Sequence, residues 1–322
     1  MFDRVVVVGG AGFIGSHFVD HFLQSSPTNQ VTIFDNFTSG RRWHFAHHEK
    51  NSRLRVIEGD VKDLNSLTKS MTGSDTVVHL ASNPDIAKAM TDPTIDFAEG
   101  TLLTNNVVEA ARRSGVELIL YASGSGVYGD LGDTEAQEDH GPLIPSSTYG
   151  ASKLAGEALI SSYVAMFGLR GYAFRFGNVV GPRQTHGVGF DFVRRLLADP
   201  TSLQILGDGK QSKSYIHVED VIRAVVGVPR AETAAFRAFN VATGDYVNVT
   251  NIAELAVDVL GLPNGSVRFE YTGGDRGWKG DVPVVRLNTD RIRATGWRCS
   301  RPTESALRVS LEAMLAERRA GR

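Results

Sequence analysis

A glycine-rich turn between a strand and a helix constrains the fold of this chain more than any other feature. The strand is the apolar run Val5–Val8, and the turn that follows reads GGAGFIG over residues 9–15. A helix is predicted from Gly15 to about Ser25, with its apolar residues on one face. Glycines let such a turn approach a pyrophosphate, and the helix start offers free N–H groups and a positive dipole end. The pattern therefore predicts a dinucleotide-binding site at the end of the first strand.

Short apolar runs alternate with helix-length amphipathic segments through the first half of the chain. This alternation predicts an α/β fold of the Rossmann type, a doubly wound parallel sheet covered by helices on both faces. After about Gly181 the sequence mixes glycine, proline and polar residues around fewer helices, which predicts a smaller mixed α/β domain. We therefore expect a dinucleotide-binding domain over residues 1–180, to which 216–242 returns, and a substrate-binding domain over 181–322.

An acidic residue follows the second predicted strand, where a dinucleotide fold places its ribose contact. Asp35 would bind the adenosine ribose hydroxyls and repel a 2′-phosphate, so NAD is favoured over NADP. The alternative is that Asp35 only caps the next segment, a task that Asn36 or Thr38 could also perform. Two short segments at strand ends further along are also expected to contact the cofactor: Asp60–Val61 near the adenine, and Leu80–Ser82 near its centre.

A tyrosine and a lysine four residues apart carry the predicted chemistry. Tyr149 and Lys153 form the single Y-x-x-x-K pattern of the chain, and positions i and i+4 share one face of a helix. A nearby ammonium, together with a positively charged nicotinamide, favours the phenolate and lowers the tyrosine pKa towards that of a usable base. The predicted cofactor-binding residues are Gly9, Gly12, Phe13, Ile14, Gly15, Asp35, Asn36, Ser39, Gly40, Asp60, Val61, Leu80, Ala81, Ser82, Tyr149 and Lys153.

Composition excludes several other classes of protein. The formal net charge of −2 argues against a strongly basic nucleic-acid-binding fold. Cys299 is the single cysteine, which excludes a disulfide scaffold or a cysteine-based zinc cage and fits a reducing, cytoplasmic compartment. No apolar run is long enough to span a membrane. We expect neither nucleic acid nor membrane as a partner.

Three histidines lie close together at His44, His47 and His48. Such a spacing could chelate a metal ion, but no acidic partner accompanies these histidines in the sequence. The sequence therefore predicts no metal site.

Taken together, these motifs resemble the extended short-chain dehydrogenase/reductase family, especially its NAD-dependent nucleotide-sugar epimerases and dehydratases. The resemblance implies a nucleotide-diphosphate sugar as substrate and a homodimer formed through two long helices at about 94–113 and 149–167. It also implies that Asn178, Lys213 and Arg276 bind the substrate. The matching segments, in family order, are residues 9–15, Asp35, 79–81, 127–129, Tyr149 with Lys153, 175–182, 207–211, 215–218 with Asp220, and 296–297.

One departure from the family pattern falls at the predicted site. Members usually carry Ser or Thr where this chain has Gly124, and that hydroxyl binds the reacting sugar oxygen. Ser123 or Ser125 takes over this role, or Tyr149 acts alone; we slightly prefer Ser125 because it lies in a glycine-flanked, adjustable loop.

The same loop helps to choose the reaction. The family's 4,6-dehydratases carry an acidic pair after the Ser or Thr, and its sugar-acid decarboxylases a Glu just before V-Y-G. This chain has Ser125 and Gly126 there. The resemblance therefore favours epimerisation at C4 through a transient 4-keto sugar. The alternatives are a dehydratase or reductase of the same family, and a cofactor-binding regulatory protein that has kept the fold.

Overall fold

The computed structural model describes residues 2–278 and 280–322 of this chain. The strands are β1 (Arg4–Val8), β2 (Gln30–Asp35), β3 (Leu54–Glu58), β4 (Thr76–His79), β5 (Leu118–Gly124), β6 (Arg170–Phe176), β7 (Asn178–Val180), β8 (Ser202–Ile205), β9 (Ser212–Lys213), β10 (Tyr215–His217), β11 (Phe236–Val241), β12 (Val247–Asn248) and β13 (Arg268–Tyr271). The helices are α1 (Phe13–Ser25), α2 (Leu64–Met71), α3 (Leu102–Ser114), α4 (Thr148–Phe167), α5 (Val188–Ala198), α6 (Val218–Ala231), α7 (Val249–Val259), α8 (Asp290–Ala294) and α9 (Thr303–Arg319).

The described chain packs into two compact units. The first comprises residues 2–127, 148–175 and 222–239, and the second comprises 128–147, 176–221 and 240–322. Packing does not test whether either unit folds on its own, so the domain boundaries 1–180 with 216–242 and 181–322 stay a prediction.

A seven-stranded sheet organises the first unit, in the order β11-β6-β5-β4-β1-β2-β3. Strand β1 pairs in parallel with both β2 and β4, so the strand order reverses between β1 and β4. In open α/β sheets, ligands bind outside the carboxyl ends of the strands at such a reversal. The predicted doubly wound parallel sheet is confirmed, and its topology brings the turns after β1 and β4 together.

The core of this unit consists of apolar side chains from the sheet and from the helices that flank it. Fully burying one such side chain stabilises a fold by about 1.5–3 kcal/mol, which explains why the buried positions of the central strands are mostly apolar. Core residues include Val6, Val8, Phe34, Val77, Val107, Val108, Ile119 and Ile160.

Local signals set the ends of several helices. The Asp63 side chain accepts hydrogen bonds from the N–H groups of Asn65 and Ser66, and so caps α2. Helix α3 is preceded by one π-helical turn, Phe97–Thr101, and ends at Gly115, whose φ of +71° is the usual left-handed stop.

The second unit combines helices with two-stranded sheets. Helices α5, α7 and α9 share one apolar core, which includes Phe192, Leu196, Ile252, Leu307 and Leu311. Strand β7 pairs in parallel with β10, β8 with β13, and β9 pairs antiparallel with β12. The sequence pattern did not locate the short strands β7–β10 and β12, because strands of so few residues rarely show a periodic pattern.

Among the described residues, no helix combines the length and the apolar character needed to cross a membrane. The predicted homodimer, formed through the α3 and α4 segments, stays a prediction, as does the cytoplasmic location.

Candidate functional site

The glycine turn after β1 has the geometry that a pyrophosphate cradle needs. Gly9 has a φ of +83°, and a Cβ there would lie 2.9 Å from the backbone nitrogen of Ala81. A Cβ on Gly15 would collide with the carbonyl oxygen of Gly9. Helix α1 begins at Phe13, and Gly12 before it has no side chain that could cap the helix, so the first-turn N–H groups of Phe13 and Ile14 are left for a ligand. Close backbone packing and an uncapped helix start both fit a dinucleotide.

Asp35 ties this turn to the end of β2. Its carboxylate is buried and accepts hydrogen bonds from the N–H groups of Ala11 (2.9 Å) and Phe37 (2.8 Å). Burial raises the pKa of this carboxyl, and the two backbone hydrogen bonds oppose the rise. A carboxylate has about four lone-pair positions, so acceptor capacity is left for ribose hydroxyls. A Cβ on Gly40 would lie 2.8 Å from Asp35 Oδ1, so glycine keeps space open there.

The other predicted cofactor residues lie on neighbouring strand ends of the same unit. The N–H groups of Leu80 and Ala81 donate to the Val8 carbonyl at 2.9 and 3.2 Å, which joins the turn after β4 to β1. The carbonyl of Val61 accepts from the Asn106 side chain at 3.0 Å, so α3 holds the loop after β3. Asp60 accepts from the Lys62 N–H group at 2.9 Å. Of the segment after β2, Asn36 is exposed and Ser39 is half-buried.

Tyr149 and Lys153 share one face of α4, as the spacing predicts. The ammonium nitrogen of Lys153 lies 5.3 Å from the Tyr149 ring centroid and donates to the carbonyl of Ala122, in β5, at 2.9 Å. Burial lowers the pKa of Lys153 to about 8, with Asp96 opposing this shift, so the charged form still prevails at pH 7.

The pKa of Tyr149 differs from the sequence-based expectation. Burial raises it to about 12, a hydrogen bond from Ser82 lowers it, and the negative charge of Asp96 raises it. Because desolvation disfavours the phenolate, Lys153 does not bring the pKa below its ordinary value. A lowering of the Tyr149 pKa therefore depends on the positive charge of an oxidised nicotinamide.

A buried carboxylate beside this pair was missed by sequence reasoning. Asp96 is 1% exposed and accepts hydrogen bonds from Asn83 Nδ2 (2.9 Å) and Thr148 Oγ1 (2.7 Å). Its charge raises the pKa of both Tyr149 and Lys153. No motif marks Asp96, which the sequence placed at the start of a long amphipathic helix. Only the fold brings it to the first turn of α4.

The two candidate serines differ in their surroundings. Ser123 is buried and donates to Glu157 Oε1 at 2.6 Å, and Glu157 in turn pairs with Arg175 at 2.7 Å. Ser125 is half-buried, and within residues 2–278 and 280–322 its hydroxyl has no hydrogen-bond partner. Its hydroxyl is therefore the less engaged of the two.

Gly124 has no special backbone conformation, and a Cβ there would meet no described atom within 4 Å. The position could thus accommodate the family's Ser or Thr without a steric clash.

The predicted substrate residues lie in the second unit. Lys213 donates to Asp281 Oδ1 at 2.6 Å, and Arg276 donates to the Asp281 carbonyl at 3.1 Å. The N–H group of Asn178 donates to the carbonyl of Ser214, the neighbour of Lys213, at 3.0 Å. The three residues are therefore joined through short contacts. Asp281, which the sequence did not single out, contacts both cations, but its carboxylate pairs only with that of Lys213. The guanidinium of Arg276 pairs instead with the carboxylate of Asp130 at 2.8 Å.

Comparisons with known proteins find relatives that match over almost their full length. The chain matches the sequence model of the NAD dependent epimerase/dehydratase family over residues 5–242. A putative UDP-glucose 4-epimerase of Methanocaldococcus jannaschii is 28% identical, over 91% of this chain and 92% of its own. A crystal structure of UDP-galactose 4-epimerase, 36% identical, has a TM-score of 0.85 and covers 98% of this chain and 99% of that chain. A double mutant of the dTDP-glucose 4,6-dehydratase from Streptomyces venezuelae, crystallised with NAD, is 27% identical with a TM-score of 0.89, over 99% and 98% of the chains.

Proposed function

Since this chain belongs to the NAD-dependent epimerase/dehydratase family, we propose that it is a nucleotide-sugar 4-epimerase. The observation that carries the proposal is the loop beside Tyr149 and Lys153, which has Ser125 and Gly126 where a dehydratase needs acidic residues. The two buried carboxylates nearby are engaged, Asp96 with its hydrogen-bond donors and Glu157 with a guanidinium. Elimination of water needs a free general acid or base, whereas epimerisation at C4 does not.

NAD is the cofactor of this family. We propose that the N–H groups at the start of α1 bind its pyrophosphate and that Asp35 binds the adenosine ribose. The absence of side chains at Gly9 and Gly40 permits both contacts, because a Cβ at either position would crowd its neighbours. When bound, NAD supplies an acceptor and donor of two electrons for the sugar carbon.

The residues of the chain move the proton. Tyr149 takes the proton of the sugar 4-hydroxyl as that carbon becomes a carbonyl, and it returns the proton when the carbon is reduced from the opposite face. Lys153 keeps a positive charge beside the phenol through both half-reactions. Because oxidation and reduction cancel, the reaction consumes no external oxidant.

The substrate class follows from the second unit and from the relatives. We propose that Lys213 and Arg276 bind a diphosphate and that Asn178 contacts it beside them. Relatives described as acting on UDP-glucose, UDP-galactose and dTDP-glucose make UDP- and dTDP-sugars the first compounds to test.

A product assay tests the proposal. Purified protein is incubated with UDP- and dTDP-hexoses, and products are analysed by mass spectrometry and NMR. We expect an isomer of unchanged mass with inverted C4 and no net NADH. Loss of one water would instead identify a dehydratase, and net NADH formation or consumption would identify a dehydrogenase or reductase.

Replacement of Asp96 tests the electrostatics around Tyr149. Asp96→Asn removes a negative charge that raises the pKa of Tyr149. The pKa of Tyr149 is therefore expected to fall, and the phenolate to form at lower pH. The rising limb of the pH profile of kcat is expected to move to lower pH. The amide is nearly isosteric, and the Thr148 hydroxyl can turn to accept from it.

Asp92→Asn is the matched control, because Asp92 lies in the same segment and its carboxylate accepts from the Thr94 hydroxyl, two residues away, at 3.0 Å. Its pH profile is expected to match that of the unmodified protein. An unchanged rising limb in Asp96→Asn would show that the carboxylate does not act on the phenol.

A further inference from the structure

Two histidines and a carboxylate converge outside the proposed catalytic residues. Asp20 lies on α1, and His47 and His48 lie on the short 3-10 turn Ala46–His48. Their nearest ligand atoms all lie within 4.8 Å of one another. We propose that these three side chains form a binding site for a first-row divalent transition-metal ion of the Zn²⁺ type.

The donor atoms already point at one position. The Nε2 atoms of His47 and His48 lie 2.8 and 2.9 Å from the same oxygen, Asp20 Oδ1, and the ring centroids are 4.2 Å apart. In tetrahedral sites the Zn–N and Zn–O bonds are about 2.0–2.2 Å long, so ligand atoms stand about 3.3 Å apart. Binding therefore needs each histidine nitrogen to move only a few tenths of an ångström away from the Asp20 oxygen, as the ion displaces the protons between them.

Exposure leaves room for the rest of the coordination shell. The His47 side chain is 49% exposed, whereas Asp20 and His48 are 18% and 12% exposed. An ion can enter from the His47 side, and water can complete its shell there. Three protein ligands with one open position is a common zinc arrangement.

The donor types select the class of ion. Imidazole nitrogen suits Zn²⁺, Ni²⁺ and Cu²⁺, whereas Mg²⁺ and Ca²⁺ prefer oxygen donors throughout. Two neutral imidazoles and one carboxylate also leave the site with a single negative charge, which a divalent cation offsets.

The sequence predicted no metal site at these histidines, and the folded chain removes the reason for that prediction. That prediction was based on the lack of an acidic partner for the histidines, and the fold supplies Asp20 from 27 residues earlier in the chain. His44, the third histidine of the sequence cluster, does not belong to the site. Its Nδ1 lies 2.8 Å from the carbonyl of Ala11 in the glycine turn.

Metal titration of the full chain tests the proposal. The protein is prepared without a polyhistidine tag, stripped with chelator, and titrated with Zn²⁺ by calorimetry and thermal unfolding. We expect one ion per chain and a rise in Tm of several degrees at about 100 times the Kd. Co²⁺ is expected to give the visible absorption of a tetrahedral site, and Mg²⁺ to leave Tm unchanged.

Three single variants assign the ligands. Asp20→Asn, His47→Gln and His48→Gln are each expected to weaken Zn²⁺ binding by at least about 100-fold, since even outer-shell partners cost 10–100-fold. His47→Gln is the most informative of them, because its exposed ring can be replaced with little effect on folding. His186→Gln, an exposed histidine of the second unit, is the control and is expected to bind Zn²⁺ normally.

Two outcomes of these titrations would contradict the metal site. The proposal is overturned if the metal-free protein shows no 1:1 binding up to millimolar Zn²⁺, or if binding survives in His47→Gln and His48→Gln. Neither outcome touches the proposed epimerase activity, because none of the three ligands belongs to the proposed catalytic or cofactor-binding residues.

Discussion

Tyr149→Phe is expected to lower kcat by about 10²–10⁴-fold while leaving NAD and nucleotide-sugar binding nearly unchanged, because a positioned acid–base group typically contributes that much. The substitution removes one oxygen and keeps the ring against Lys153. The Ser82 hydroxyl loses its partner but can rotate to another acceptor. Turnover is measured with the nucleotide sugar identified in the product assay, and binding by calorimetry with NAD and with the sugar nucleotide.

Tyr163→Phe provides a control on the same helix. Tyr163 is half-buried on α4 and its hydroxyl donates to Glu109 at 3.2 Å, so it bears no relation to the proposed chemistry. This variant is expected to keep its kcat. If Tyr149→Phe also kept most of its activity, Tyr149 could not be the base, whatever the reaction proved to be.

Gly15→Ala is expected to abolish NAD binding and to destabilise the fold. The added Cβ would collide with the carbonyl oxygen of Gly9 and approach the Gly10 Cα to 2.7 Å. Both obstacles are backbone atoms, so the turn itself has to move. Overpacking of this kind costs about 1–3 kcal/mol, and the movement also displaces the N–H groups that would face the pyrophosphate. Urea unfolding gives the stability change, and calorimetry with NAD gives the binding loss.

Gly227→Ala is the matched glycine control. Gly227 lies inside α6, and a Cβ there would meet no described atom within 4 Å. Alanine is favoured over glycine within a helix by about 1 kcal/mol, so this variant is expected to be at least as stable and to bind NAD normally. Normal NAD binding by Gly15→Ala would mean that the pyrophosphate does not sit on this turn.

The local sequence pattern was sufficient to predict the conformation of the glycine turn and the shared helix face of Tyr149 and Lys153. The turn lies within one strand–turn–helix segment, so the glycines that pack against each other are only a few residues apart in the sequence. Tyr149 and Lys153 face one another because a helix has 3.6 residues per turn. The parallel sheet was predictable for a similar reason, since apolar strands that alternate with helices have few other ways to bury both faces.

The buried carboxylates Asp96 and Asp281 were beyond sequence reasoning. Asp96 reaches Thr148 across 52 positions, and Asp281 reaches Lys213 across 68. Nothing in either aspartate's neighbourhood marks it as a partner, because its role depends on which distant segment folds against it. Burial, which is also a property of the folded chain, raises the pKa of Tyr149 against the lowering expected from the nearby ammonium and an oxidised nicotinamide.

The sequence by itself therefore determined the local structure: the strands, the helices, the glycine turn and the side-chain contacts within one helix. All of these depend on interactions between residues a few positions apart. What only the folded chain decided is the environment of each charge. Desolvation and the approach of Asp20, Asp96 and Asp281 to their partners act through space, and they set which groups are basic, which are neutralised, and where a cation can bind.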